Sequence, residues 1–194
     1  MATATDTTDT SPDERVPGET GMWFFVLFES LIFTSYFCVY LYFRTQDEGA
    51  FLEAQSALRL PLGIVDTIVL LTSSWAIARS VQEARAGRPA AARRLAFVTI
   101  GLGAAFSALK LVEWAHLIGD GHTFTSSDFM QHYFFLTGMH AVHLLIGLVA
   151  LGILVHQLAD PHRRSQETIE TCATYWHTVD LYWVLIFAVL YIVR

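Results

Sequence analysis

The stretch YFFLTGMHAVHLLIGLVALGILV, Tyr133–Val155, decides the fold. It runs for 23 residues without one Asp, Glu, Lys or Arg, and at 1.5 Å rise per residue it is long enough to cross a hydrocarbon core of about 30 Å. Lipid offers no partners for backbone N–H and C=O groups, so such a run satisfies them internally as a helix. Its polar content is confined to Thr137, His140 and His143.

Four further runs have the same character: Gly21–Phe43, Leu60–Ala78, Leu95–Leu117 and Thr174–Val193. Together the five hold 108 of the 194 residues, in a chain that is 54% hydrophobic and 15% charged with mean hydropathy +0.43. An average soluble domain carries about 25% charged residues. The expected fold class is therefore all-α, a polytopic bundle of five transmembrane helices over residues 21–194, with no room for a soluble domain. Residues 1–20 hold five of the 18 acids behind the net charge of −6 and read as a disordered acidic tail. That tail lacks the basic start, short apolar core and cleavage site of a secretory signal. Two cysteines, Cys38 and Cys172, make no disulfide framework, and no basic stripe offers itself to nucleic acid.

Arginines orient the bundle. The tail and the loops after the second and fourth runs carry Arg15, Arg79, Arg85, Arg88, Arg93, Arg94, Arg163 and Arg164, against Arg44, Arg59 and Arg194 on the other side. Positive residues favour the cytoplasmic face, which puts the N-terminus inside, the C-terminus outside and the Arg79–Arg94 loop in the cytoplasm. Trp23, Trp114 and Trp176 near run ends suit an aromatic belt. Gly103, Ala104, Ser107 and Ala108 put small residues four apart, suited to close helix contact.

Ionisable residues inside the runs are expensive and therefore informative. They are Glu29, Asp66, Lys110, Glu113, His140, His143, His177 and Asp180, the candidate proton-uptake or lipid-associated sites. Lys110 with Glu113, His140 with His143, and His177 with Asp180 stand three apart, so each pair is expected to share a helix face. Counting rise from the inner ends puts Glu29 and Asp180 at about 9–12 Å, with His177 slightly nearer the surface, and Asp66, Lys110, His140 and His143 at about 20–24 Å. Two polar layers are expected, the outer one nearly neutralised by Lys110 with Asp66 or Glu113.

Metal chemistry has partial motifs only. Glu113-Trp-Ala-His116 is a single Glu-x-x-His where a di-iron bundle needs two with further Glu, and the His-Glu-x-x-His of metalloproteases is absent. The residues assign no catalytic, cofactor-binding or metal ligand. Two readings stay open beside a structural bundle: an intramembrane haem or metal redox protein using His140, His143 and Glu113, and a small transporter or channel with a polar path past Asp66, Lys110 and Glu29.

Several of these sites lie in strings that resemble subunit III of the haem-copper oxidase superfamily. Gly21-Met22 through Phe25 to Glu29 and Leu31-Ile32-Phe33 looks like the opening helix of that family's five-helix part, with its membrane-embedded glutamate. Thr137-Gly138-Met139-His140-Ala141-Val142-His143 is similar to the family's Thr-Gly-Phe-His-Gly-Leu-His. Tyr175-Trp176-His177-Thr178-Val179-Asp180 with Trp183 is similar to Tyr-Trp-His-Phe-Val-Asp and its downstream Trp, and Glu113-Trp114 takes the place of Glu-Tyr. The resemblance covers about Pro17 to Arg194.

It implies a non-catalytic accessory subunit in the bacterial cytoplasmic (inner) membrane, supporting stability, lipid binding and proton uptake of the catalytic subunit. Its implied partners are subunit I, subunit II and phospholipids, with haem and copper in the partner catalytic subunit and none in this chain. Departures from the family pattern set an alternative. Phe28 stands where Ser commonly precedes the glutamate, Asp66-Thr67 where Asn-Thr is usual, and Lys110 where Gln is frequent. With Leu70-Leu71-Thr72-Ser73-Ser74 and the compact length, these look like the branch associated with nitric oxide reductases, which serve denitrification.

Overall fold

The computed structural model describes residues 19–160 and 164–193; the acidic tail up to Gly18, together with Arg163 and Arg194, lies outside the described residues. The described chain is helical, in the order α1 Thr20–Gln46, α2 Glu48–Gln55, α3 Leu60–Arg85, α4 Pro89–Gly119, α5 Asp128–Ala159 and α6 Gln166–Phe187, closed by a π-helical turn Ala188–Ile192. Five of these helices are long and apolar enough to cross a membrane, as the five runs predict.

The helices overrun the apolar windows. The expected cytoplasmic loop from Arg79 to Arg94 is mostly the end of α3 and the start of α4, with Ala86–Arg88 as the turn. Hydrogen bonding along a helix does not stop at the hydrocarbon edge. It stops here at Gly87, whose φ of +73° is the left-handed conformation glycine adopts at little cost, and Pro89 restarts a helix in its first turn. Likewise α5 begins at Asp128, its first turn closed by Ser127 Oγ accepting from the Met130 N–H at 3.2 Å.

No apolar run announces α2. It is an eight-residue helix nucleated by Asp47, whose Oδ1 accepts the Ala50 N–H at 3.1 Å. Its buried Phe51 and Gln55 face the bundle. An Asp47→Ala substitution will cost about 1 kcal/mol, the usual worth of such a cap, read as faster amide hydrogen exchange over residues 50–55 with the long helices unchanged.

Helices α3, α4, α5 and α6 form the packed body, and α1 leans on α5 and α6 from outside. Of the most apolar window of each span, 56% is buried in α6 but only 17% in α1. The centre is held by indoles. Trp176, fully buried, lies between Gly103 of α4 and Gly147 of α5, where an added Cβ would come within 2.7 and 2.9 Å of its ring. Its Nε1 donates to Ser73 Oγ at 3.0 Å, and Trp183 Nε1 donates to Thr67 Oγ1 at 3.1 Å, tying α6 to α3.

Trp176 is therefore core and not part of an aromatic belt. Gly103 is small to admit an indole, while Ala104 and Ala108 face outward. At the other end, Arg44 Nη1 donates to the Val193 carbonyl at 2.6 Å, and Gln55 Nε2 donates to the Leu190 and Val193 carbonyls at 2.9 and 3.0 Å. These satisfy carbonyls that the end of the π turn leaves open.

Candidate functional site: three buried polar clusters

The first cluster is built by the π turn. Its i→i+5 bond, Val193 N–H to the Ala188 carbonyl at 3.0 Å, accompanies a register that swings Tyr191 into the bundle, where Gly63 leaves room for its ring. Tyr191 Oη lies 2.9 Å from both carboxylate oxygens of Glu113 and 3.4 Å from Tyr133 Oη. Lys110 Nζ sits 2.5 Å from Glu113 Oε2, 3.0 Å from Asp66 Oδ2 and 4.3 Å from the centroid of the Trp183 ring. One ammonium thus serves two carboxylates and an indole face, with Asp66 entirely hidden from solvent. The expected neutralising partner was one acid or the other; the structure uses both.

The second cluster joins α1 to the body. Glu29 Oε1 lies 3.0 Å from His143 Nε2, and His143 Nδ1 lies 2.8 Å from the Met139 carbonyl, which fixes the ring. Phe33 packs edge-on against His143 and stacks on Tyr182, whose hydroxyl is 3.0 Å from Ser30 Oγ. This corrects the depth sorting, which put Glu29 in the inner layer and His143 in the outer. A count of rise takes the end of each apolar run as the membrane surface, whereas the helices overrun those ends, α5 reaching Ala159, so depths counted on two helices share no common origin.

His140 parts from His143. Its ring faces Phe106 and Trp183 at centroid distances of 5.6 and 5.3 Å, and both ring nitrogens lack a hydrogen-bond partner among the described residues. A shared face for this pair does not hold, since one histidine turns to α4 and α6 and the other to α1.

The third cluster lies between α6 and α3. His177 Nδ1 lies 2.7 Å from Ser74 Oγ on α3, while Asp180, one turn further along α6, is buried with neither carboxylate oxygen in a hydrogen bond among the described residues. The wall of His177 opens on a cleft of about 500 Å³ between α1, α3 and α6.

His116 points away from this core, exposed and bonded to the Val112 carbonyl. Among the described residues no three His, Cys, Asp or Glu side chains converge as a metal site. Sequence reasoning missed Tyr191, Tyr133 and Ser74, because hydroxyls carry no charge to flag them. It also missed His132, buried against Tyr36 with Nδ1 3.1 Å from the phenol. Ser127-Asp128, an N-terminal capping signal, would have placed His132 inside the helix.

Phe28 is 63% exposed, so a hydroxyl at this position would point outward and not at Glu29. Asp66 and Lys110, two of the departures noted above, are the halves of one ion pair. They amount to a single charge-for-amide exchange and lose their weight as independent marks of a branch.

The comparisons with known proteins agree with the geometry. The family model described as cytochrome c oxidase subunit III matches residues 15–194. A probable cytochrome c oxidase subunit 3 of Nocardia farcinica is 32% identical over 168 residues, covering 86% of this chain and 83% of the relative. A cytochrome bo(3) ubiquinol oxidase subunit 3 of Pseudomonas aeruginosa is 30% identical, over 89% of this chain and 83% of its own length. A probable quinol oxidase subunit 3 of Staphylococcus haemolyticus is 25% identical over 100% of this chain and 97% of its own. These relatives are oxidase subunits of both donor types, and the nitric oxide reductase alternative is not favoured.

Proposed function

This chain belongs to the cytochrome c oxidase subunit III family, and from that premise we propose that it carries no catalytic centre of its own and seats beside subunits I and II of a haem-copper oxidase, whose haem and copper do the redox chemistry. It is an accessory subunit of such an oxidase and a multi-pass protein of the bacterial inner membrane. The observation that carries the finer reading is the Glu29–His143 pair at 3.0 Å, placed where the least buried helix meets the body. Behind it the Met139 carbonyl of α5 holds the His143 ring; in front, Phe24, Phe28 and Leu31 present more than 60% of their surface outward. Such a face suits phospholipid and a partner subunit. Glu29 then lies one residue layer from that partner, positioned to tune its proton supply.

The arginine distribution supports an orientation with the N-terminus inside. That side includes Arg85 at the end of α3, ion-paired with Glu170 at 2.9 Å.

Glu29→Gln keeps the shape and a neutral hydrogen bond to His143, at a cost of about 1 kcal/mol. The oxidase carrying it will assemble with normal haem content and lose activity several-fold sooner during turnover. An unchanged inactivation time course in the assembled variant rejects the role. Gentle purification from native membranes, with the haem spectrum and the accompanying chains identified, tests the assembly itself.

A further inference from the structure

Where α2 leads into α3 and α4 ends, at the end of the bundle opposite the cleft of His177, lies a cavity of about 110 Å³. Half of its lining residues are ionisable: Arg59, His116 and Asp120 from the helix ends, and Glu113, which is 2% exposed. Seven residues of α4 separate Asp120 from Glu113, about 10 Å of depth. The volume admits water, each molecule needing about 30 Å³ and a few polar partners.

Behind Glu113 the charges do not balance. Two acids, Asp66 on α3 and Glu113 on α4, share the single ammonium of Lys110, at 3.0 and 2.5 Å. The other groups around them bring no charge to match. Tyr191 of the π turn and Tyr133 of α5 offer hydroxyls, and Phe106 and Trp183 offer ring faces to the ammonium. His140 of α5 faces those same two rings, and neither of its nitrogens has a hydrogen-bond partner among the described residues. Arg59, exposed at the cavity, pairs with neither acid among the described residues. With both acids ionised, one negative charge is left uncompensated where solvent does not reach, the arrangement that burial penalises most. One proton removes it.

Donors are also divided unequally. Glu113 faces Lys110 and takes the Tyr191 hydroxyl at 2.9 Å, whereas Asp66, entirely hidden, faces Lys110 alone, and its Oδ1 has no partner among the described residues.

We propose that Asp66, Lys110 and Glu113 form a proton-binding site that holds one exchangeable proton and fills and empties through this cavity. The proton comes from cavity water to Glu113, the acid that lines the cavity, and is shared by the two acids across the ammonium. It returns to water by the same way, and nothing is oxidised. The site is separate from the Glu29–His143 pair; only its facing the outer side rests on the orientation proposed above.

The test uses the intact oxidase complex and infrared spectroscopy in deuterated buffer, with no turnover, so its outcome is independent of the inactivation assay for Glu29. Asp66→Asn and Glu113→Gln each leave one acid facing one ammonium. Each will therefore abolish the same protonated-carboxyl stretching band of the unaltered complex, and either variant decides should the other not assemble. Ala57→Leu changes no ionisable group but fills part of the cavity, which Ala57 lines. There the band persists and its shift on deuteration slows by about tenfold or more, since exchange then waits for local opening. A band that survives in an assembled Asp66→Asn or Glu113→Gln complex, or exchange in Ala57→Leu as fast as in the unaltered complex, overturns the site.

Discussion

A Lys110→Gln variant will lose about 3–5 kcal/mol of stability, because it leaves two buried carboxylates facing each other with no cation between them. The loss is larger than a surface ion pair could cause, since exposed pairs are worth about 0–1 kcal/mol. Asp66 and Lys110 are 0% and 3% exposed, Glu113 2%, and removing one partner of a buried pair strands the rest in a medium that does not solvate them. The cluster also anchors the π turn through Tyr191, so the damage will extend to the packing of the chain's end. A second substitution separates charge from shape. Lys110→Gln with Asp66→Asn removes the ammonium and one carboxylate together, leaving Glu113 its hydrogen bond from Tyr191. The double variant will recover most of what the single one loses, as read by thermal unfolding of the purified complex. If single and double variants unfold alike, the lysine's role is one of packing and not of charge.

That pair of positions shows where sequence reading reached and where it stopped. The five spans were readable because each apolar run is long and nearly free of charge, and the expense of an intramembrane charge flagged Lys110, Asp66 and Glu113 as a group. Helix ends were not readable from the same signal. The apolar window reports where lipid stops, whereas the helix stops where Gly87 or a capping side chain interrupts the hydrogen-bond ladder. α2 escaped because eight amphipathic residues make no apolar run.

Contacts between helices were the least readable. Glu29 meets His143 across a calculated difference in depth, and His140 and His143 diverge although three residues apart, because the partners on either side of α5 differ. Tyr191 entered the polar cluster through a π turn that no residue pattern in Ala188–Ile192 announces. Trp176 was misread for a related reason. Tryptophan near a span end is expected at the interface, but here the small residues that receive it lie on two other helices, far apart in sequence.

Trp176→Ala will cost about 3–5 kcal/mol, the range for emptying a large aromatic site in a core. In lipid the usual hydrophobic gain between helices is absent, because acyl chains are as apolar as leucine, so packing contacts and polar ties carry helix association. Trp176 supplies both, filling the space between α4 and α5 and donating to Ser73 on α3. The complementary change acts from the other side. A Cβ at Gly103 would come within 2.7 Å of Trp176 Cη2, and Gly103→Ala will cost about 1–3 kcal/mol by overpacking. If the indole is what the methyl group meets, shortening it removes the conflict. Trp176→Phe loses the bond to Ser73, about 1 kcal/mol, yet in that background Gly103→Ala will cost little. The double-mutant cycle will therefore give a coupling of about 0.5–3 kcal/mol, measured by thermal unfolding of the complex. Additive penalties would mean that the methyl group at Gly103 meets something other than the ring, and that Trp176 is not the wedge holding α4 and α5 to α6.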